Sequence, residues 1–190
     1  FNIITKGGAA HTGSNANGGG AGRVMLTTHA DSTITLHDST ITAAGGAGDG
    51  TGVQGAGANI SFANKVALTA GSAAISTGAT GGSIAFNNTL NGGWALELTA
   101  GAGNIDFDNA VGNTAALGAV TINSVATLDT DDVFKAASFR QSAGSSLTQF
   151  DGAVTLTGEF DFTGQALGFN AAGNSIGGTM GVSNSGVFKT

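Results

Sequence analysis

The sequence predicts an all-β fold, a parallel β-helix whose coils each take about 21 to 24 residues, and three observations predict it. First, residues 60–66 (Ile-Ser-Phe-Ala-Asn-Lys-Val) return as residues 84–90 (Ile-Ala-Phe-Asn-Asn-Thr-Leu) and as residues 105–111 (Ile-Asp-Phe-Asp-Asn-Ala-Val). Second, apolar and polar residues alternate within each copy, so Ile, Phe and Val share one face of an extended chain. Third, β-branched residues dominate the apolar runs, and no window keeps the i, i+3, i+4 spacing for two turns, which excludes helices. A coil of this kind buries its apolar face only when another stacks on it. An all-β sandwich has no reason to duplicate Leu68-Thr-Ala-Gly71 as Leu98-Thr-Ala-Gly101.

Taken in order, residues 1–4 are an apolar run that reads as a strand. Residues 7–22 are glycine-rich without apolar period and read as a long loop. Residues 23–27, 33–36 and 39–42 form three short strand-like runs, which suits a triangular coil. Residues 43–58 hold almost only Gly and Ala, and read as a second extended loop. The three clear copies of the repeat follow, each trailed by further alternating runs. Between Phe107 and Phe150 the pattern skips one coil, and residues 129–139 take its place with altered spacing, so a coil with a longer loop is expected there. Alternation resumes through Val154, Phe160, Phe162, Leu167 and Val182. The whole of residues 1–190 is predicted to be one elongated domain of about eight or nine coils.

Stacked coils set equivalent residues about 4.8 Å apart along the axis, so like sits on like. Ile60, Ile84 and Ile105 are predicted to form one interior column. Phe62, Phe86, Phe107 and Phe150 form an aromatic stack, and Val66, Leu90, Val111 and Val154 a third column. Each such side chain, fully buried, contributes at most roughly 1.5 to 3 kcal/mol. Asn64, Asn88 and Asn109 recur two residues after each phenylalanine, where Gly152 stands in the fourth copy. Both residue types tolerate the left-handed backbone of a sharp corner, and stacked Asn amides can bond to one another along the axis.

Glycine supplies 34 of 190 residues and proline none, yet 41% of the chain is apolar and placed in alternating runs, which argues for packing rather than disorder. Six Lys and Arg stand against twelve Asp and Glu, a net charge of −6. The six cations (Lys6, Arg23, Lys65, Lys135, Arg140 and Lys189) are mostly scattered, which argues against nucleic acid and against an anionic membrane as partners. No apolar run reaches the 18 residues that membrane insertion by a helix needs. With no cysteine, disulfides and thiolate metal sites are excluded. The chain starts at Phe1 without a methionine and shows no charged-then-apolar leader, so it reads as a piece of something longer.

Carboxylates are the first chemical candidates, because polysaccharide-cleaving β-helices set two or three of them in one groove. Asp106 and Asp108 share a face, Asp129, Asp131 and Asp132 cluster one coil later, and Asp151 then Asp161 follow, so a stacked acidic strip is expected. Hydrolysis also needs a proton donor with a raised pKa, and sugar platforms are few: Trp94 is the single tryptophan and there is no tyrosine. The same aspartates offer oxygens to Ca²⁺. Residues 45–50 resemble the glycine-rich nonapeptide of calcium β-rolls, but Asp49 falls one residue early and the unit does not recur. No other cofactor is expected. His11, His29 and His37 lack metal-ligand spacing and read as exposed polar residues. The pairs Thr33/Thr35, Thr40/Thr42 and Thr155/Thr157 raise an ice-binding face, although outward threonine is ordinary in strands.

Residues 20–27 (Gly-Ala-Gly-Arg-Val-Met-Leu-Thr), 39–46 (Ser-Thr-Ile-Thr-Ala-Ala-Gly-Gly), 59–62 and 104–114 resemble the β-strand repeats of filamentous-haemagglutinin-like proteins. The resemblance covers most of residues 20–170. It implies a right-handed β-helix, export to the bacterial cell surface, and a structural or adhesive role in a stalk, filament or matrix. No functional residue carries over, because the shared positions are those that stack coils. Expected partners are a further copy or further repeats joined end to end, and cell-surface or matrix glycans. A carbohydrate-binding or carbohydrate-cleaving β-helix and an ice-binding solenoid are the alternatives.

Overall fold

Period-two alternation folds into a three-sided coil. The computed structural model describes residues 1–190 as parallel strands stacked into a β-solenoid of about six turns, with no helix. Face 1 is an eight-stranded parallel sheet built from Val24–Leu26, Ile60–Phe62, Ile84–Phe86, Ile105–Phe107, Leu128–Thr130, Leu147–Phe150, Ala166–Phe169 and Phe188–Lys189. Faces 2 and 3 are the two halves of an eleven-stranded sheet. The strand Ile34–Thr42 shows how one sheet covers two sides: it bends at Asp38, where φ is 44°, and its register with Val66–Ser76 shifts on either side of His37. Val66–Ser76 bends at Gly71, with φ at 62°.

One core of 35 buried residues fills the solenoid. Interior columns of register partners run along it. Ile60, Ile84 and Ile105 are register partners, and the column continues into Leu128, Thr148 and Leu167. Val66, Leu90, Val111, Phe134 and Val154 form another. Phe62 stacks on Phe86 at 4.7 Å and 2° between ring planes, and Phe86 on Phe107 at 5.1 Å and 10°. Near-parallel aromatic pairs within this range of separation add attraction beyond the area they bury.

That aromatic column differs from the expected one at its next level. Thr130, not a phenylalanine, pairs with Phe107 on one side and Phe150 on the other. Phe134, from the neighbouring face, turns its edge toward both, at 6.3 and 5.5 Å. The coil at residues 129–139 therefore has no long loop; it is in register and only its aromatic is displaced. The asparagines also differ. Asn64, Asn88 and Asn109 do not have positive φ, and they form no amide ladder. Asn64 Oδ1 accepts from the Thr28 N–H at 2.9 Å, Asn88 Oδ1 from the Thr89 N–H at 2.8 Å, and Asn109 Nδ2 donates to the Asn87 carbonyl at 3.2 Å. Amides and carbonyls at a corner have no strand partner, and these side chains satisfy them.

The turn count falls below eight or nine because two long segments, residues 5–23 and 43–59, leave the coil at the corner between faces 3 and 1. They contain no strand or helix, yet they are knitted together by backbone hydrogen bonds. The N–H groups of Gly18, Ala21 and Val24 donate to the carbonyls of Val53, Ala56 and Asn59, while those of Gly52, Gly55 and Ala58 donate to Asp49, Gly46 and Ala43. Each series advances by three residues, the repeat of a polyproline II helix, which has no internal hydrogen bonds and must find partners in neighbouring chains. Glycine is required here by close approach. A Cβ on Gly46 would overlap the carbonyl of Gly8, and one on Gly55 the carbonyl of Gly19. These segments form a four-armed bundle beside the first two coils.

Candidate functional site

The strongest concentration of ionisable groups lies on the outer side of face 1. Between the buried residues of each strand the chain turns a residue outward, so Ser61, Ala85, Asp106, Asp129 and Gln149 are successive register partners there, with Gly168 next in line. One step past the strand end lies a second column. The N–H groups of Asn87, Asp108, Asp131, Asp151 and Asn170 each donate to the carbonyl that ends the strand one coil earlier, on Phe62, Phe86, Phe107, Thr130 and Phe150. The coil length thus brings Asp106, Asp108, Asp129, Asp131 and Asp151 into one strip two columns wide. Carboxylate oxygens of Asp129, Asp131 and Asp151 lie within 4.8 Å of one another.

Little offsets this charge. Asp151 Oδ1 accepts from Gln149 Nε2 at 2.8 Å and from Asn170 Nδ2 at 2.7 Å. Asp129 Oδ1 is shielded from solvent and has no hydrogen-bond partner. The pKa of Asp106 is raised above 3.8 by burial first and then by the charges of Asp108, Asp129 and Asp131. Asp129 is raised by burial, then by Asp151 and Asp131. Asp129, Asp131 and Asp151 are the residues of this strip placed to offer oxygens to a cation. The remaining acids of that region lie elsewhere. Asp132 Oδ1 accepts from the Val133 N–H at 2.6 Å, and Asp161 faces Arg140 on face 3 at 3.7 Å with both side chains more than half exposed.

No protein-family model, curated protein or solved structure matches the chain. Functional assignment therefore rests on the geometry of these residues.

The other sequence candidates separate in space. Asp49 sits at the tip of the glycine bundle, where Oδ2 accepts from the N–H groups of Ser14 at 2.8 Å and Asn15 at 3.4 Å, tying one tip to the other. His11 lies at that tip, His29 in the connection before face 2, and His37 at the bend between faces 2 and 3; all three are exposed. Thr33/Thr35 and Thr155/Thr157 fall on face 2 and Thr40/Thr42 on face 3. The face 3 column through Thr40 continues as Ala74, Glu97, Thr121, Arg140 and Asp161. Trp94 is 44% exposed at the corner of faces 2 and 3.

One surface had no counterpart in the sequence reading. Where face 1 turns into face 2, Thr33, Lys65 and Thr89 occupy the same position in three successive coils, as the donors Ile34, Val66 and Leu90 that follow them show by bonding to Lys65, Thr89 and Ala110. Together with Ala67, Asn91 and Thr114 they line a groove of about 420 Å³. Its residues are far apart in sequence and individually ordinary, so only the coil register assembles them.

Proposed function

We propose that this chain is a structural and adhesive β-solenoid segment of an exported bacterial surface protein of the filamentous-haemagglutinin-like kind, acting through its outer faces rather than by catalysis. The observation that carries this reading is the uniform parallel stacking. Both sheets end in strands without an outer partner, Val24–Leu26 and Phe188–Lys189 on face 1. Parallel edges of that kind accept further coils in the same register, from the same chain or from another, which is what a stalk or filament needs. Phe188, register partner of the buried Leu167, is 44% exposed at that edge, and a further coil would cover it. Static light scattering over a hundredfold concentration range tests the assembly part of the reading. Growth of elongated species is expected, and a strict monomer at every concentration counts against self-association.

A carbohydrate-active β-helix is the second reading, favoured by the clustering of Asp129, Asp131 and Asp151. Replacing Asp106, Asp131 and Asp151 by asparagine and measuring turnover of a polysaccharide panel separates the two. The adhesive reading predicts no turnover before or after the change. Cleavage by the unaltered protein, lost in the variant, would establish the enzyme. For the ice-binding alternative, thermal hysteresis is the deciding observable, and none is expected.

A further inference from the structure

The groove on face 2 has the chemistry of a binding subsite. Its one charged group, the Lys65 ammonium, makes no ion pair, and the hydroxyls of Thr33, Thr89 and Thr114 make no hydrogen bond within the protein. Asn91 is held in one orientation: Oδ1 accepts from the Thr114 N–H at 2.9 Å and from the Ala115 N–H at 3.4 Å. Its two Nδ2 hydrogens are thereby left for a ligand. The small side chain of Ala67 leaves room beneath these groups. None of the carboxylates of the acidic strip lines the groove.

We propose that this groove binds an acidic saccharide, a sugar unit bearing one carboxylate. Lys65 pairs with the carboxylate, and Asn91 Nδ2 with the threonine hydroxyls bonds the ring hydroxyls. The match is in stoichiometry and type. One ammonium balances one carboxylate, whereas phosphate recognition calls for several cations or a fan of backbone amides. Hydroxyls that both donate and accept complement the vicinal diols of a sugar ring. The volume lies within the few hundred Å³ over which small-molecule clefts range. This proposal rests on the adhesive reading and specifies a ligand class for it.

The test is a titration of the ¹⁵N-labelled full chain with digalacturonic acid, followed by amide chemical shifts, with cellobiose and inorganic phosphate as comparison probes. Saturable shifts confined to the neighbourhood of residues 33, 65, 89, 91 and 114 are expected, with a Kd of about 1 mM or tighter. Cellobiose and phosphate are each expected to bind at least about fivefold more weakly, since each satisfies only part of the groove. The variant Lys65→Met is expected to lose about tenfold in affinity, and Thr89→Val about threefold, with amide spectra otherwise unchanged. Absence of saturable shifts, equal binding of phosphate, or unchanged affinity in Lys65→Met overturns the proposal. Saturable shifts on another face would overturn the groove while leaving the adhesive reading intact; loss of all glycan binding together with a strict monomer in scattering would remove both.

Discussion

Thr130 lies directly between Phe107 and Phe150 in one interior column: it is the register partner of both, only 1% exposed, and its hydroxyl has no hydrogen-bond partner. A buried hydroxyl left unpaired costs about 1 to 3 kcal/mol relative to an apolar group of the same shape. The substitution Thr130→Val is therefore expected to stabilise the protein by about 1 kcal/mol, raising the midpoint of thermal unfolding by roughly 2 to 4 °C. Restoring the repeat with Thr130→Phe has the opposite sign, because the Phe134 ring already fills that level; a loss of about 1 to 3 kcal/mol is expected. Calorimetry on the two variants checks both signs.

A second buried polar pair tests the same physics by subtraction. The Thr148 hydroxyl donates to Gln141 Oε1 at 2.8 Å inside the core, while Gln141 Nε2 is unpaired. Thr148→Val alone strands the Gln141 carbonyl and is expected to cost about 1 to 2 kcal/mol. The double change Gln141→Leu with Thr148→Val removes every orphaned group, and is expected to be neutral or stabilising. A double-mutant cycle in denaturant in which the double variant is less stable than Thr148→Val alone would contradict this.

The acidic strip is expected to make stability depend on pH. Asp106 and Asp129 have folded-state pKa values above 3.8, so between that value and their raised ones the folded chain holds more protons than the unfolded chain. Their contribution to stability is greatest at low pH and is lost as pH rises through the raised values. Asp129→Asn is expected to raise thermal stability at pH 7 and to flatten its fall between about pH 4 and 7. Unfolding midpoints across that range, compared between the two proteins, decide it; an unchanged slope would mean that the strip is not coupled to folding.

Glycine in the bundle is expected to matter by position rather than by number. A Cβ at Gly46 meets the backbone of Gly8, whereas one at Gly8 meets nothing within 4 Å. Gly46→Ala is expected to open the bundle and destabilise it by about 1 to 3 kcal/mol, and Gly8→Ala to be nearly silent. Amide hydrogen exchange reads this locally. Faster exchange at Gly18, Ala21 and Gly55, with the coils from Ile84 onward unchanged, is the expected pattern.

These residues also show where the sequence is legible. Side-chain alternation and the return of Ile, Phe and Val at one interval specify interior columns, because a parallel stack places equals on equals. The acidic strip was legible for the same reason, since its aspartates recur once per coil. The coil at Thr130 looked irregular because a single threonine occupies the phenylalanine position and the aromatic volume comes from another face. Residues 7–22 and 43–58 read as loops because their order comes from backbone hydrogen bonds at three-residue steps, which leave no side-chain signature except glycine. The groove around Lys65 was invisible because its groups come from separate coils and only register unites them.

The stacking of like on like is tested most directly by engineered disulfides, since the natural chain contains no cysteine. Ser61 and Ala85 are register partners on the outer side of face 1, and Asp106 is the next partner beyond. Adjacent strands lie about 4.8 Å apart, within the span a disulfide bridges, whereas alternate strands lie about 9.6 Å apart, outside it. The variant Ser61→Cys with Ala85→Cys is expected to oxidise to an intramolecular disulfide under mild air oxidation, and Ser61→Cys with Asp106→Cys to keep free thiols. Bridging in the second variant, or in neither, would contradict the stacked solenoid.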